Sequence, residues 1–240
     1  MTIGIAIIGL GCGAFLAEAM RSVQAQSYRD WSCAVIYDPT EQGSVVVRIA
    51  AQDSRFLPLL CEPICVSSAR NRAFAELECD LFVALDGDDV LAPDYLAVLH
   101  DAMVQDPHVR VAYTGTRFFG LKNGMKPEIP YSPRMLAIRN MIVSSAMFRR
   151  TDFLRVGGYD PHPRNLYEDW ELWVSLLKSG GNVAFIPSIL FNYRQRPGSR
   201  WNSFTDHEHR SAREYIFSKH ADFCWHTSDM GPDIGRVRLC

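Results

Sequence analysis

The segment Leu81-Phe82-Val83-Ala84-Leu85-Asp86-Gly87-Asp88-Asp89 decides how the rest of the chain is read. Its apolar run, unbroken by polar residues, fits a short strand buried on both faces, as in a parallel sheet covered by helices. The run ends on three carboxylates within four residues, and Gly87 lets the chain turn there. Acids so close repel one another unless a cation or hydrogen-bond donors offset them. Alternating carboxylates on a turn suit a hard divalent ion, Mg2+ or Mn2+, that also holds phosphate oxygens. An Asp-rich surface turn is the plain alternative. Position favours a site, because open α/β sheets bind ligands at the carboxyl ends of their strands.

Upstream, Ile3–Ile8 is another continuous apolar run, and Gly13–Ser27 carries Phe15, Leu16, Ala19, Met20 and Val23 at helical spacing. Ala34–Tyr37 is a strand that stops at Asp38-Pro39, and a weaker strand is expected within Val45–Ile49. Ser68–Leu77 is expected as a helix. Pro93 suits the first position of a helix ending near Val104. Strands alternating with helices indicate an α/β layer with a mainly parallel sheet. After Asp106, strands are expected at Val109–Thr114, Arg117–Phe119 and Met141–Phe148, and a helix over Asp206–Lys219.

Composition excludes some classes and is silent on chemistry. With 240 residues, 25 Lys+Arg against 27 Asp+Glu and 48% hydrophobic residues, the chain is large enough for one sizeable core. It has neither the charge imbalance of a disordered chain nor the basic excess of a nucleic-acid binder. The longest uncharged apolar stretch, Ile3–Ala17, is too short for a membrane span and lacks the basic start of a signal peptide. The expectation is a cytoplasmic protein. Seven cysteines without a CxxC pair argue against a disulfide framework, and Cys61 and Cys65 lack further ligands for a metal site. Residues 107–140 hold six Lys/Arg against one acid, which is either a solvated face or a surface for an anionic partner.

Three further constellations could carry chemistry. Gly9-Leu10-Gly11-Cys12-Gly13-Ala14 follows a strand, opens a helix and matches G-x-G-x-x-A, with Asp38 ending the next strand. That is the pattern of an NAD(P)-binding oxidoreductase, and equally of a glycine turn that only lets backbone pack closely. Asn165 with Glu168 resembles a capping box, whereas Asp169 shares a helical stripe with Leu172, Trp173, Leu176 and Leu177. Burial raises the pKa of such a carboxylate and the helix N-terminus lowers it, so Asp169 is either a general base or a first-turn acid. Finally, Arg194, Arg196 and Arg200 surround a Gly198-Ser199 turn, where arginines either hold a phosphate or are simply solvated.

In this order the elements resemble the family 2 glycosyltransferases. Ser22-Val-Gln-Ala-Gln26-Ser-Tyr28 through Trp31, Ser68-Ala-Arg70-Asn71, Asp86-Gly-Asp88-Asp89, Ser144–Arg149, Gly157-Gly158-Tyr159-Asp160, Glu168-Asp169 and Tyr193-Arg194 with Gly198-Ser199 are similar to that family's motifs. The resemblance implies a single Rossmann-like nucleotide-diphospho-sugar transferase domain of the A-type glycosyltransferase fold, with a central mixed, mainly parallel sheet. Residues 1–105 would form a donor half, 106–205 an acceptor half and 206–240 a C-terminal helix and tail. The implied activity is inverting transfer from a UDP-sugar to a hydroxyl of a saccharide or lipid-linked acceptor in polysaccharide or glycolipid synthesis. The basic 107–140 segment points in addition to an anionic acceptor or carrier, such as a lipid diphosphate, and so to peripheral contact with the inner face of a membrane; no nucleic-acid partner is expected. Implied roles are Asp38 and Arg70 at the nucleoside, Asp86 at the ribose, Asp88 with Asp86 and Asp89 at Mn2+ or Mg2+, Asp169 as base, and Arg194 and Arg196 at the diphosphate. Where the family has P-x-Y-N, this chain has Gly9-Leu10-Gly11-Cys12, which leaves a non-catalytic nucleotide-binding module as a further alternative.

Overall fold

A computed structural model describes residues 1–60, 65–127, 129–198 and 203–226. In chain order its elements are β1 Ile3–Ile8, α1 Phe15–Gln24, β2 Trp31–Tyr37, α2 Pro39–Gln52, β3 Phe56–Leu60, α3 Val66–Ala75, β4 Leu81–Asp86, β5 Val90–Leu91 and α4 Tyr95–Gln105. There follow β6 Val109–Gly120, β7 Gly124–Met125, α5 Pro133–Leu136, β8 Met147–Arg149, α6 Arg150–Val156, α7 Glu168–Leu177, β9 Asn182–Gln195, α8 Asp206–Lys219 and α9 Ala221–His226.

One mixed sheet runs in the order β3-β2-β1-β4-β8-β6-β9-β5, with β7 beside β6. The first four positions are parallel, and β8 joins β4 to β6 by antiparallel pairing. Every residue of β1 is buried, as a strand with helices on both faces requires. The last edge is unexpected. β5 follows β4 after a three-residue turn, yet pairs with β9 at the opposite end of the order. The sheet must therefore curl, and register shifts between β6 and β9 at Thr114–Thr116 supply the bend. The curl brings β9 back over the carboxyl end of β4.

The strand expected within Val45–Ile49 is instead part of α2. Asp38 accepts the Thr40 N–H at 2.8 Å as N-cap and Pro39 occupies the first turn, so the start signal overrides the β-branched run. Gln42, Val46 and Ile49 are the buried residues, at helical spacing, while Val47 is exposed. The third strand is Phe56–Leu60, whose Pro58 suits its place at the sheet edge. Arg117–Phe119 belongs to β6, and of Met141–Phe148 only the end is strand. Asn165 does not cap α7: Tyr167 stands there without a side-chain cap, and Asn165 donates to Asp160 O at 2.9 Å. Cys61, Glu128, Ser199, Arg200 and the tail after His226 lie outside the described residues.

The glycine turn after β1 has a packing role. A Cβ on Gly87 would lie 2.8 Å from Gly9 Cα and from Ile8 O, so the turns after β1 and β4 meet backbone to backbone. Gly87 N–H donates to Ile8 O at 2.9 Å across that contact. Gly87→Ala is expected to lower stability by about 1–3 kcal/mol, because a side chain must be forced into filled space. The check is the urea midpoint at unchanged m-value; a wild-type midpoint would mean the turns separate freely.

Candidate functional site

The curl creates a cavity of about 1000 Å³ over the carboxyl ends of β1 and β4. Its walls carry Asp86 and Asp88 from the end of β4, Asp169 from the start of α7, and Arg194 and Arg196 from the end of β9. The sheet thus gathers residues spread over more than a hundred positions of sequence.

Arg70 joins the two sides from below. It is 1% exposed and donates from Nη2 to Asp86 Oδ1 at 2.8 Å and from Nη1 to Glu168 Oε1 at 3.0 Å. Burial disfavours its charge, but Asp86 and Glu168 more than offset that and hold it firmly ionised. Arg70 is therefore a strut under the site rather than a lining residue.

Asp86, Asp88 and Asp89 do different things. Asp88 Oδ2 accepts Arg196 Nε–H at 2.6 Å, and Asp86 leaves one oxygen clear of Arg70. Asp89 turns inward, fully buried, and its Oδ1 accepts the Arg194 N–H at 2.8 Å. Its Oδ2 is buried with no partner among the described residues. Burial, with Asp86 and Asp88 close by, pushes the Asp89 pKa well above the usual carboxylate range. Asp89 thus braces the turn, and of these three acids only Asp86 and Asp88 line the cavity. Among the described residues no three His, Cys, Asp or Glu side chains are gathered tightly enough to cage a metal ion. Two carboxylates fit an ion that takes its remaining ligands from phosphate oxygens and water, which is the habit of Mg2+.

Asp169 sits at the cavity wall. Its Oδ2 accepts Asn140 Nδ2–H at 2.8 Å and its Oδ1 accepts the Trp170 N–H at 2.7 Å, so each oxygen keeps a lone pair. Burial and the neighbouring Glu168 charge push its pKa up to about 6, against the pull of Arg70 and both donors. The helix below is anchored: buried Glu171 accepts from Lys219 Nζ at 2.8 Å and from His220 Nε2 at 2.7 Å. Lys219 also reaches Asp160 at 2.6 Å, tying α8 to the Gly-Gly-Tyr-Asp turn.

Asp38 and Arg194 are engaged otherwise than expected. Asp38 spends its carboxylate on the α2 cap, accepting from Thr40 N and Oγ1, and is absent from the cavity lining. Arg194 lines the cavity, but its guanidinium is committed to Glu18 at 2.6 Å and Asp88 O at 2.7 Å, between the rings of Phe15 and Phe119. The wall near Asp88 is made by Leu10 and Cys12, and burial pushes the Cys12 thiol up to about 12, so it stays protonated. Asn140 and the loop residues His162, Asn165 and Tyr167 also line the site. Nothing local in the sequence marks Asn140, whose role depends on a fold that sets it against Asp169.

Arg70→Met is expected to cost about 3–5 kcal/mol, since it strands two carboxylates that share one cation. Glu168→Gln in the same background should recover part of that loss. Equilibrium urea unfolding of the four proteins measures both; additive losses would show that the strut does not couple the two carboxylates.

The model for glycosyl transferase family 2 matches residues 5–164. The y4gI protein of Sinorhizobium fredii (strain NBRC 101917 / NGR234), which is uncharacterised, is 26% identical over 199 residues, covering 78% of this chain but only 21% of its own length. The chain thus spans about a fifth of that relative. The UDP-Gal:alpha-D-GlcNAc-diphosphoundecaprenol beta-1,3-galactosyltransferase of Escherichia coli is 26% identical over 200 residues, covering 75% of this chain and 68% of its own. Among solved structures, S. aureus TarS 1-349 in complex with UDP-GlcNAc superposes with a TM-score of 0.72 at 12% identity, covering 100% of this chain and 77% of that one. The mannosyltransferase PcManGT of Pyrobaculum calidifontis, in complex with GDP-Man and Mn2+, gives 0.63 at 15% identity, covering 96% and 76%. These matches do not favour the oxidoreductase reading of the glycine turn, in which a Cβ on Gly9 would meet Leu16 and Ile36 O while Gly11 and Gly13 take φ of +63° and +50°. The sheet, the cavity at its strand ends and the match over most of the chain lead to one conclusion: the chain belongs to glycosyl transferase family 2.

Proposed function

We propose that this chain is an inverting, metal-assisted glycosyltransferase that moves a sugar from a UDP-linked donor to a hydroxyl of a saccharide or lipid-linked acceptor. The observation that carries the proposal is the single cavity joining Asp86 and Asp88 to Asp169. Residues 1–105 supply the donor side of one domain and 106–205 the acceptor side.

Asp169 takes the proton of the acceptor hydroxyl on a carboxylate oxygen as that hydroxyl oxygen bonds to the anomeric carbon from the opposite side. The bond from that carbon to the phosphate oxygen breaks, and the nucleoside diphosphate leaves with the electron pair. Asp86 and Asp88 would hold a divalent ion, which supplies charge neutralisation for the departing diphosphate. Arg196, ion-paired with Asp88, stands where it can transfer its hydrogen bond to a phosphate oxygen. Arg194 acts differently, by fixing the strand that carries Arg196. Asn140 and the Trp170 N–H aim the base. Support for the donor class comes from relatives named for UDP-linked sugars, and for the acceptor class from the galactosyltransferase named for a lipid diphosphate.

Asp169→Asn is expected to lower kcat by ~10²-fold or more while UDP and Mn2+ bind as in the wild type. Steady-state transfer and calorimetry make the check, and near-normal turnover would leave Asp169 a structural acid. Tight NAD binding without a metal-dependent UDP signal would instead return the oxidoreductase.

A base works only when ionised, so kcat/KM should fall as pH drops through about 6 and level off above it, following the raised pKa of Asp169. An acid limb near pH 4 would mean that burial does not tune this group.

A further inference from the structure

We infer that the hairpin formed by β6 and β7 is a docking element for an anionic lipid surface, which it brings to the rim of the catalytic cavity. In this hairpin Arg117 pairs with Met125 and Phe118 with Gly124, and Leu121 to Asn123 form the tip. Leu121 is 68% exposed and Met125 52% exposed. Single exposed apolar residues are ordinary, but these two belong to one short hairpin.

The tip is built rather than frayed. Leu121 N–H donates to Gln195 O at 2.9 Å, and Lys126 N–H to Thr116 O at 3.0 Å, so both ends of the turn are fastened to the sheet. A fixed backbone therefore presents the Leu121 side chain to solvent. Beside it in the hairpin stand Arg117 and Lys122, both exposed, and no acid occurs between Pro107 and Pro127. An apolar tip with basic flanks fits the boundary of an anionic bilayer, where apolar side chains enter the acyl region and cations meet the headgroups. A protein partner would need a matching acidic pocket, whereas a lipid surface needs only its charge and its depth.

Placement gives the hairpin a purpose. Thr116, Phe118 and Lys126 line the cavity, while Arg117, next along the strand, points to the other side of the hairpin. Phe118 lies beside Tyr193 and Phe119 beside Arg194 in the β6–β9 ladder, so the tip extends from the wall that carries the diphosphate-side residues. Docked at headgroup level, the cavity would open where a lipid-linked acceptor presents its sugar. The inference rests on the acceptor being lipid-linked, and it predicts binding that turnover does not require.

Co-sedimentation of the full chain with vesicles containing phosphatidylglycerol, against pure phosphatidylcholine, tests it. The wild type is expected to bind the former, more weakly as salt rises, and not the latter. Leu121→Glu with Met125→Glu should lower partitioning roughly tenfold or more, and Lys122→Glu should lower it as well. Leu121→Trp should raise it, because an indole favours the interface. Equal partitioning of all these proteins, or none, would overturn the inference, as would variants that change self-association and leave vesicle binding intact. Calorimetry with UDP and Mn2+ on the same samples separates the two readings. Vesicle binding without a UDP signal sinks the transferase and leaves the hairpin; a UDP signal unchanged in variants that still sediment does the reverse.

Discussion

A single buried guanidinium holds the site together. Arg70 comes from α3, takes Asp86 from the end of β4 and Glu168 from the start of α7, and leaves almost none of its surface to water. Those carboxylates are far apart in sequence and belong to the two sides of the cavity. An uncompensated charge at either place would be expensive to bury, so the three groups form together or not at all. The width of the cavity follows from that. Asp86 cannot shift outward without stranding Arg70, and α7 cannot retreat without stranding Glu168. The proposed base is the next residue after Glu168, so its distance from the acids of β4 is set by an ion pair in which it takes no part.

The turn after β4 imposes the second constraint. Its backbone packs against Gly9, its buried Asp89 holds the backbone of Arg194, and Asp88 O receives the Arg194 side chain. One short turn therefore fixes β1 on one side and β9 on the other, and closes the curl. The three acids cannot all face solvent at this spacing without strong repulsion. Turning one inward onto a backbone donor, and giving the other two an arginine each, removes that conflict and leaves two oxygens for a ligand.

These arrangements show where sequence was informative. The buried strands β1, β2 and β4 were legible because both faces are covered and the apolar runs are unbroken. The helix expected over Asp206–Lys219 is present with those bounds, and a Thr205–Glu208 capping box starts it. Val45-Val46-Val47 misled because side-chain preference at three positions is weaker than an N-cap followed by proline. The glycines after β1 were ambiguous because a phosphate-binding turn and a turn that is crowded at Gly9 and has positive φ at Gly11 and Gly13 demand the same residue. Asp86, Asp88 and Asp169 were marked by position at a strand end and a helix start. Asn140 and the buried role of Arg70 were not, since both depend on partners brought near only by the long-range sheet order.

Glu168 and Asp169 show how adjacent carboxylates acquire different work. Both lie in the first turn of α7, where the helix dipole favours either charge to a similar degree. What differs is direction. Glu168 turns to Arg70 and finds a full countercharge, while Asp169, one residue on and roughly 100° around the helix, meets only neutral donors. The first gives its Oε1 to the Arg70 ion pair and so braces the helix start. The second, desolvated by burial and crowded by the charge of the first, has its pKa pushed up to about 6. The strut that sets the cavity width holds Glu168 beside Asp169, so the same ion pair that fixes the geometry keeps in place the neighbour that, with burial, raises the Asp169 pKa against the pull of Arg70 itself.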